Sequence, residues 1–208
     1  RSQNASVRTV RLPDSLTASQ VMALHADEQA FLSALVRPMP VQPSTTSERG
    51  IAFHAWIETY YGDRGLFGPD DIPGAGDSDI YDDDQLDELR QKFAAGAFAA
   101  RSPYGLEVPF ALLVGGRTWR GRIDAVFRGT VSDPAANNRW LVIDWKTGAP
   151  GSSNPLQLEI YRHAWAGAMG VDPDAVDAAF YFVGHDVIEP LVNPRPLHDL
   201  DVLISGRA

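Results

Sequence analysis

Cysteine is absent from the chain. That excludes disulfides, thiolate zinc sites and iron–sulfur clusters, and removes cysteine as a nucleophile. Any bound metal must then be held by Asp, Glu, His or backbone carbonyls, a donor set that favours Mg²⁺ or Mn²⁺. No apolar run approaches the ~18 residues of a membrane span and no signal peptide opens the chain, so a soluble, cytoplasmic protein is expected. The 208 residues hold no Gly-x-x-x-x-Gly-Lys-Ser/Thr loop, so a nucleotide-driven motor, if there is one, lies outside them. Positive charge is scarce too: the net charge of −9 and pI near 4.9 argue against a free-standing nucleic-acid binder, which usually carries a basic footprint. The acid is unevenly spread. It is concentrated from Asp63 to Glu88, whereas Arg117, Arg120, Arg122 and Arg128 gather around one predicted strand.

What is present reads as a folded protein. Hydrophobic residues make up 44% and aromatics 10%, enough for a substantial core. The chain starts at Arg1 without an initiator Met and stops at Ala208, which gives the expectation of a piece cut from something longer. Residues 1–46 are expected as an appended segment, with an extended start and one helix from about Thr17 to Val36, ended by the prolines from Pro38 onward. Residues 47–208 are expected to form the main domain. Ser47 can cap a helix running to about Tyr61, and a Gly/Pro/Asp-rich loop follows. A helix from roughly Asp84 to Ala100 opens on acids that suit its positive end. Strands are expected at about 105–114, 117–128 and 139–146, the first two joined by Gly115-Gly116. Asn154-Pro155 begins a helix to about Met169, Ala178–Val183 is a further strand with a partner at Val187–Val192, and a last helix starts near Leu197.

Lysine, written only twice against sixteen arginines, is informative where it occurs. Lys146 ends the apolar run Leu141-Val142-Ile143-Asp144-Trp145-Lys146. A compact ammonium with an adjustable pKa can do what a permanently charged, forked guanidinium does less well. On a strand, Asp144 and Lys146 project to one side roughly 6–7 Å apart along the chain, with Trp145 facing away. An acid and an amine so placed can bind a metal and handle a water; a surface salt bridge is the plainer alternative.

Other polar residues could converge with them. Asp124 sits among apolar neighbours in Gly121-Arg122-Ile123-Asp124-Ala125-Val126, where an acid is costly unless paired or metal-bound. His54 and Glu58 share a helix face, Glu107 lies on the first strand, and Gln157 and Tyr161 share a face of the helix after Lys146. Each alone has a bland explanation: a packed histidine, a solvated acid, a polar contact between helix and sheet. Their order is less ordinary. His-x-x-x-Glu, Glu-x-Pro-Phe, Gly-Arg-Ile-Asp, Ile-Asp-Trp-Lys-Thr-Gly and Gln-x-x-x-Tyr together resemble the RecB-like branch of the PD-(D/E)xK nuclease superfamily, over about Arg49 to Val183.

The resemblance implies an α/β, restriction-endonuclease-like αβββαβ core with added N-terminal helices. It also implies a DNA nuclease in which Asp124, Asp144, His54 and the main-chain carbonyl of Trp145 hold Mg²⁺ or Mn²⁺. Glu107 matches a recurring acid that would join this set. Lys146 would position or activate the attacking water, Gln157 and Tyr161 would support the site and touch DNA, and Glu58 would serve as support. The flanking Leu12-Pro13-Asp14, Arg37-Pro38-Met39-Pro40 and Arg49-Gly50-x-x-Phe53-His54 look like the C-terminal nuclease module of UvrD-type helicase–nucleases of the AdnAB kind. That likeness implies double-strand-break resection and recombinational repair, with single-stranded DNA delivered by a motor in the parent chain and a possible partner subunit. Two other classes stay open: an inactive nuclease-like domain that binds DNA or scaffolds a partner, and a hydrolase of small phosphoesters. Arg120 and Arg122 could contact phosphates or pair with nearby acids. Asp77 to Glu88 lacks the glycine of a calcium loop and reads as a solvated acidic stretch.

Overall fold

A strand paired on both edges and covered on both faces needs a near-continuous apolar run, and β4, Trp140–Lys146, is such a strand, buried up to its final lysine. Trp140 and Val142 face one core cluster, Leu141, Ile143 and Trp145 the other. The computed structural model describes residues 11–38, 45–66 and 84–205. Residues 67–83, which hold most of the expected acidic loop and the start of the calcium-loop stretch, lie outside the described residues, as do 39–44.

The elements run β1 (Ser15–Thr17), α1 (Ala18–Ala26), α2 (Glu28–Val36), α3 (Thr45–Leu66), α4 (Asp84–Ala95), β2 (Gly105–Val114), β3 (Arg117–Arg128), β4, α5 (Leu156–Met169), β5 (Val176–Phe182), β6 (Val187–Pro190) and α6 (Leu197–Ser205). From α3 onward this is the expected order of helices and strands, a mixed α/β fold. β3 pairs antiparallel with β2 and β4, β4 parallel with β5 through the α5 crossover, and β5 antiparallel with β6. One face of the sheet packs Leu24 of α1, Phe31 of α2, Leu158 and Ile160 of α5, and Leu200 of α6. The other packs Phe53 and Ile57 of α3 and Leu86, Leu89 and Phe93 of α4.

Three local expectations are corrected. The single helix from Thr17 to Val36 is two helices, because Asp27 takes an extended backbone (φ −154°) and its carboxylate accepts the Ala30 N–H at 2.8 Å, capping α2. The helix from Asp84 stops at Ala95, not Ala100, as Gly96 turns the chain against the Tyr181 hydroxyl. The extended start includes a true strand: Ser15–Thr17 pairs parallel with Thr118–Arg120 of β3, and Leu12 and Leu16 enter the shared core.

The pairing of β3 opens the site. β2 occupies one edge of β3 from Arg117 to Val126. The opposite edge is shared by β1 at 118–120 and β4 at 125–128, so residues 121–124 have no ladder partner there. The face alternation also slips at this point. Trp119, Ile123 and Val126 join one cluster, while Ala125 and Phe127 join the other. β2 slips with it, Val108 and Phe110 packing on one side and Leu106 on the other.

Candidate active site

Glu107 and Asp124 stand opposite each other at that slip. The ladder passes from Leu106↔Ala125 to Val108↔Ile123 without pairing them. Glu107 is held in the left-handed region (φ 47°), a geometry that costs a non-glycine residue ~1–2 kcal/mol. On the other edge of β3, Asp124 replaces the missing ladder bond with its side chain, Oδ2 accepting the Trp145 N–H at 2.9 Å. A carboxylate built into the backbone seam in this way cannot swing out to solvent.

His54 reaches the same place from α3. The apolar set Phe53, Ile57 and Tyr61 docks that helix on the sheet, which turns the flanking His54 toward the acids. Its Nδ1 lies 3.5 Å from Glu107 Oε1 and 3.7 Å from Asp124 Oδ2. Donor atoms of His54, Glu107 and Asp124 all fall within 4.8 Å of one another.

Asp144 lies on β4 with its side chain only 2% exposed. Lys146 Nζ approaches Asp144 Oδ2 to 2.6 Å, yet that oxygen has no aligned hydrogen bond. The lysine instead donates to Gln157 Oε1 at 3.0 Å, and Gln157 Nε2 donates to Tyr161 Oη at 3.0 Å. One turn of α5 separates Gln157 from Tyr161, so the helix carries the relay on a single face. Phe180 of β5 lies 5.2 Å from the ammonium and Phe110 of β2 stacks edgewise on Tyr161. The aromatic floor at Phe180 was missed from sequence, although the parallel register that sets Phe180 beside Asp144 could have disclosed it.

The electrostatics are those of crowded, half-dry acids. Burial first, and the charge of Asp144 second, push the Asp124 carboxyl up to about 8. Burial likewise raises Asp144, with Lys146 opposing. For His54, burial alone would lower the imidazole, but Glu107, Asp124 and Asp144 together outweigh it and the net shift is upward. Burial raises the Tyr161 hydroxyl, helped by Asp144 and Asp124, so it stays protonated. A divalent cation fits this set. It would relieve the repulsion between Asp124 and Asp144 and give Asp144 Oδ2 a second partner beside the Lys146 ammonium.

The structure thus brings together His54, Glu107, Asp124, Asp144, Lys146, Gln157 and Tyr161. Glu58 is exposed and stands outside this group. The indole of Trp145 is buried in the core against Phe93 and Phe98. His163 is buried on α5 and its Nε2 meets the Arg195 carbonyl at 2.8 Å, a structural role.

No curated protein matches the chain. Among solved structures, a candidate exonuclease from Eubacterium rectale aligns at TM-score 0.62 with 11% identity, over 93% of this chain and 78% of its own, a likeness of fold. SSO0001 aligns at TM-score 0.42 with 15% identity, over 94% of this chain and 75% of its own. The family model of the PD-(D/E)XK nuclease superfamily matches residues 28–202, and the chain belongs to that superfamily.

Proposed function

We propose that this chain is a Mg²⁺- or Mn²⁺-dependent deoxyribonuclease, and that it serves as the C-terminal nuclease module of a helicase–nuclease in double-strand-break resection and recombinational repair. The observation that carries the nuclease reading is the meeting of Asp124, Asp144 and Lys146 with His54 and Glu107 at one gap in the sheet. In this reading His54, Glu107, Asp124, Asp144 and the Trp145 main-chain carbonyl hold the metal. When bound, the ion supplies Lewis-acid neutralisation of a phosphate oxygen and a more acidic water.

The protein's own groups do the rest. Lys146 Nζ, fixed between Asp144 and Gln157, keeps N–H bonds directed at the attacking water and favours its hydroxide form electrostatically. Gln157 spends its amide on Lys146 and Tyr161, which sets the direction of both. Tyr161 Oη accepts from Gln157, leaving its own proton to donate to a phosphate oxygen. The motor reading rests on the resemblance of the flanking motifs, and it accounts for an acidic nuclease: a helicase can hold single-stranded DNA that a chain of net charge −9 would bind weakly alone.

The test is labelled single-stranded DNA with Mg²⁺ or Mn²⁺, beside Asp144→Ala and an EDTA control. Metal-dependent cleavage is expected from the wild type, falling at least roughly a hundredfold in the variant. Cleavage that survives EDTA, or equal cleavage by Asp144→Ala, overturns the assignment. DNA binding with no cleavage in any metal would instead favour the inactive binding or scaffolding domain.

A further inference from the structure

The four arginines around β3 have different fates. Arg117 donates to the Leu12 and Pro13 carbonyls at 2.8 and 2.9 Å, and Arg128 lies 3.5 Å over the Trp140 ring while donating to the Asn137 carbonyl. Both are fastened to the fold. The side chains of Arg120 and Arg122 are exposed, and their guanidinium groups make no ion pair or hydrogen bond among the described residues. In a chain of net charge −9 with many acids available, two unpaired guanidinium groups on one strand are conspicuous.

Their placement is directional. Trp119 and Ile123 are buried, so Arg120 and Arg122 project to the other face of β3. On β2, the register sets Ala111 opposite Arg120 and Pro109 opposite Arg122, and both are exposed. Among the described residues no helix covers this half of the hairpin on that side; Phe110, Leu112 and Val114 pack only on the other. Arg120 and Arg122 stand one two-residue step of ~6.6–6.8 Å apart on that face, and Asp124 follows where the alternation slips. Small residues beside two free guanidinium groups make a shallow, positive strip that ends beside the acidic cluster.

We propose that this open β2–β3 face is the track for a single polynucleotide strand, with Arg120 and Arg122 each engaging one phosphate beside the phosphate attacked at Asp124. The occupant follows from charge and shape. Guanidinium matches phosphate oxygens by forked hydrogen bonds, and an uncovered sheet strip with no groove walls suits one extended backbone. The arginines position the strand without reading sequence. The proposal rests on the nuclease reading for the site at its end.

The experiment is fluorescence anisotropy of labelled single-stranded DNA in Ca²⁺ across a salt series, comparing wild type, Arg120→Ala/Arg122→Ala, and Arg37→Ala/Arg139→Ala. The last removes the same formal charge at the end of α2 and at the far end of β4. Loss of two phosphate contacts should flatten the slope of log K against log[salt] by about 1.4 and weaken binding roughly tenfold at low salt. The control should lose much less. Turnover of bis(p-nitrophenyl) phosphate with Mn²⁺, measured alongside in the wild type, reads the metal cluster without a polynucleotide. An unchanged slope in Arg120→Ala/Arg122→Ala, an equal loss in the control, or no DNA binding by the wild type overturns the track. Absence of metal-dependent phosphodiester turnover in the wild type would overturn the nuclease reading instead, whatever the slopes show. Melting temperatures of both variants exclude unfolding as the cause: Arg120, Arg122 and Arg37 are exposed, and Arg139 is half-buried in an ion pair with Asp177.

Discussion

A glutamate in left-handed geometry and an aspartate bonded to the neighbouring strand's amide are costly features, and they lie side by side at residues 107 and 124. Nothing in the identity of Glu107 announces its φ; only the pairing of β2 with β3 imposes it. The acids themselves were legible, because Asp124 and Asp144 interrupt apolar runs where a carboxylate needs a partner. Which partner was not: the N–H of Trp145 is supplied by a residue whose side chain points the other way. The charge state of Asp124 yields a definite pH dependence. Its carboxyl is raised from an unfolded value near 3.8 to about 8 in the metal-free fold, so the native state binds the extra proton between these values. Stability from this group is fully present below about pH 4 and is lost as pH rises through about 8. His54, also shifted upward, adds in the same direction above its own ordinary value. In EDTA, the melting temperature of wild type minus that of Asp124→Asn should therefore decline steadily from pH 5 to pH 9. Asparagine keeps an acceptor for the Trp145 amide and removes the titration. A difference that stays flat would mean Asp124 is ionised throughout.

At the scale of elements, the strands and the α5 helix could be read from sequence because local signals and tertiary demands agree. Gly115 and Gly116 take positive φ in the β2–β3 turn, Asn154 accepts the Leu156 N–H at 3.1 Å ahead of α5, and Gly170 closes that helix in left-handed geometry. The misread elements are those whose limits are set from afar. β1 is three residues long, too short for any periodicity, and exists because the edge of β3 left open by β4 accepts it. α4 looks as though it should run on through Ala94-Ala95-Gly96-Ala97-Phe98, a good helical composition. It stops because β5 delivers the Tyr181 hydroxyl, hydrogen-bonded to Asp186 at 2.6 Å, into the space beside Gly96. A Cβ there would collide with that hydroxyl and press the Lys92 carbonyl at 3.1 Å and Asp186 Oδ1 at 3.2 Å. Gly96→Ala should thus destabilise by ~1–3 kcal/mol as an overpacking substitution, although alanine is the better helix former. For a chain of this size the melting temperature should fall by roughly 2–12 °C, with cleavage at low temperature unaffected. A rise would show that the turn yields and that propensity, not Tyr181, sets the end of α4.

For the molecule as a whole, the His54, Glu107 and Asp124 cluster draws on α3, β2 and β3, the proposed donor Asp144 on β4, and the lysine relay adds α5. No segment carries the site by itself. A ligand that bridges such a set binds the folded chain and has little to bind in the unfolded one, so it must stabilise the fold by mass action. The site suits such a ligand, since burial and the charge of Asp144 hold the Asp124 carboxyl up to about 8 in the metal-free fold. At a free Mn²⁺ concentration a hundred times its Kd the gain is ~2.7 kcal/mol, which corresponds to roughly 5–11 °C in melting temperature. The sign of its pH dependence follows from the raised carboxyls. Metal must displace protons from Asp124 and Asp144, so at one fixed Mn²⁺ concentration below saturation the shift should be greater at pH 8 than at pH 6. In Asp124→Asn, which removes the charged donor but keeps an acceptor for the Trp145 amide, the metal-free protein should melt close to wild type, and Mn²⁺ should raise it little at either pH. An equal Mn²⁺ shift in that variant would place the ion elsewhere on this acidic chain, and a wild-type shift that shrinks from pH 6 to pH 8 would show that the carboxylates at the β3 gap are not what the ion meets.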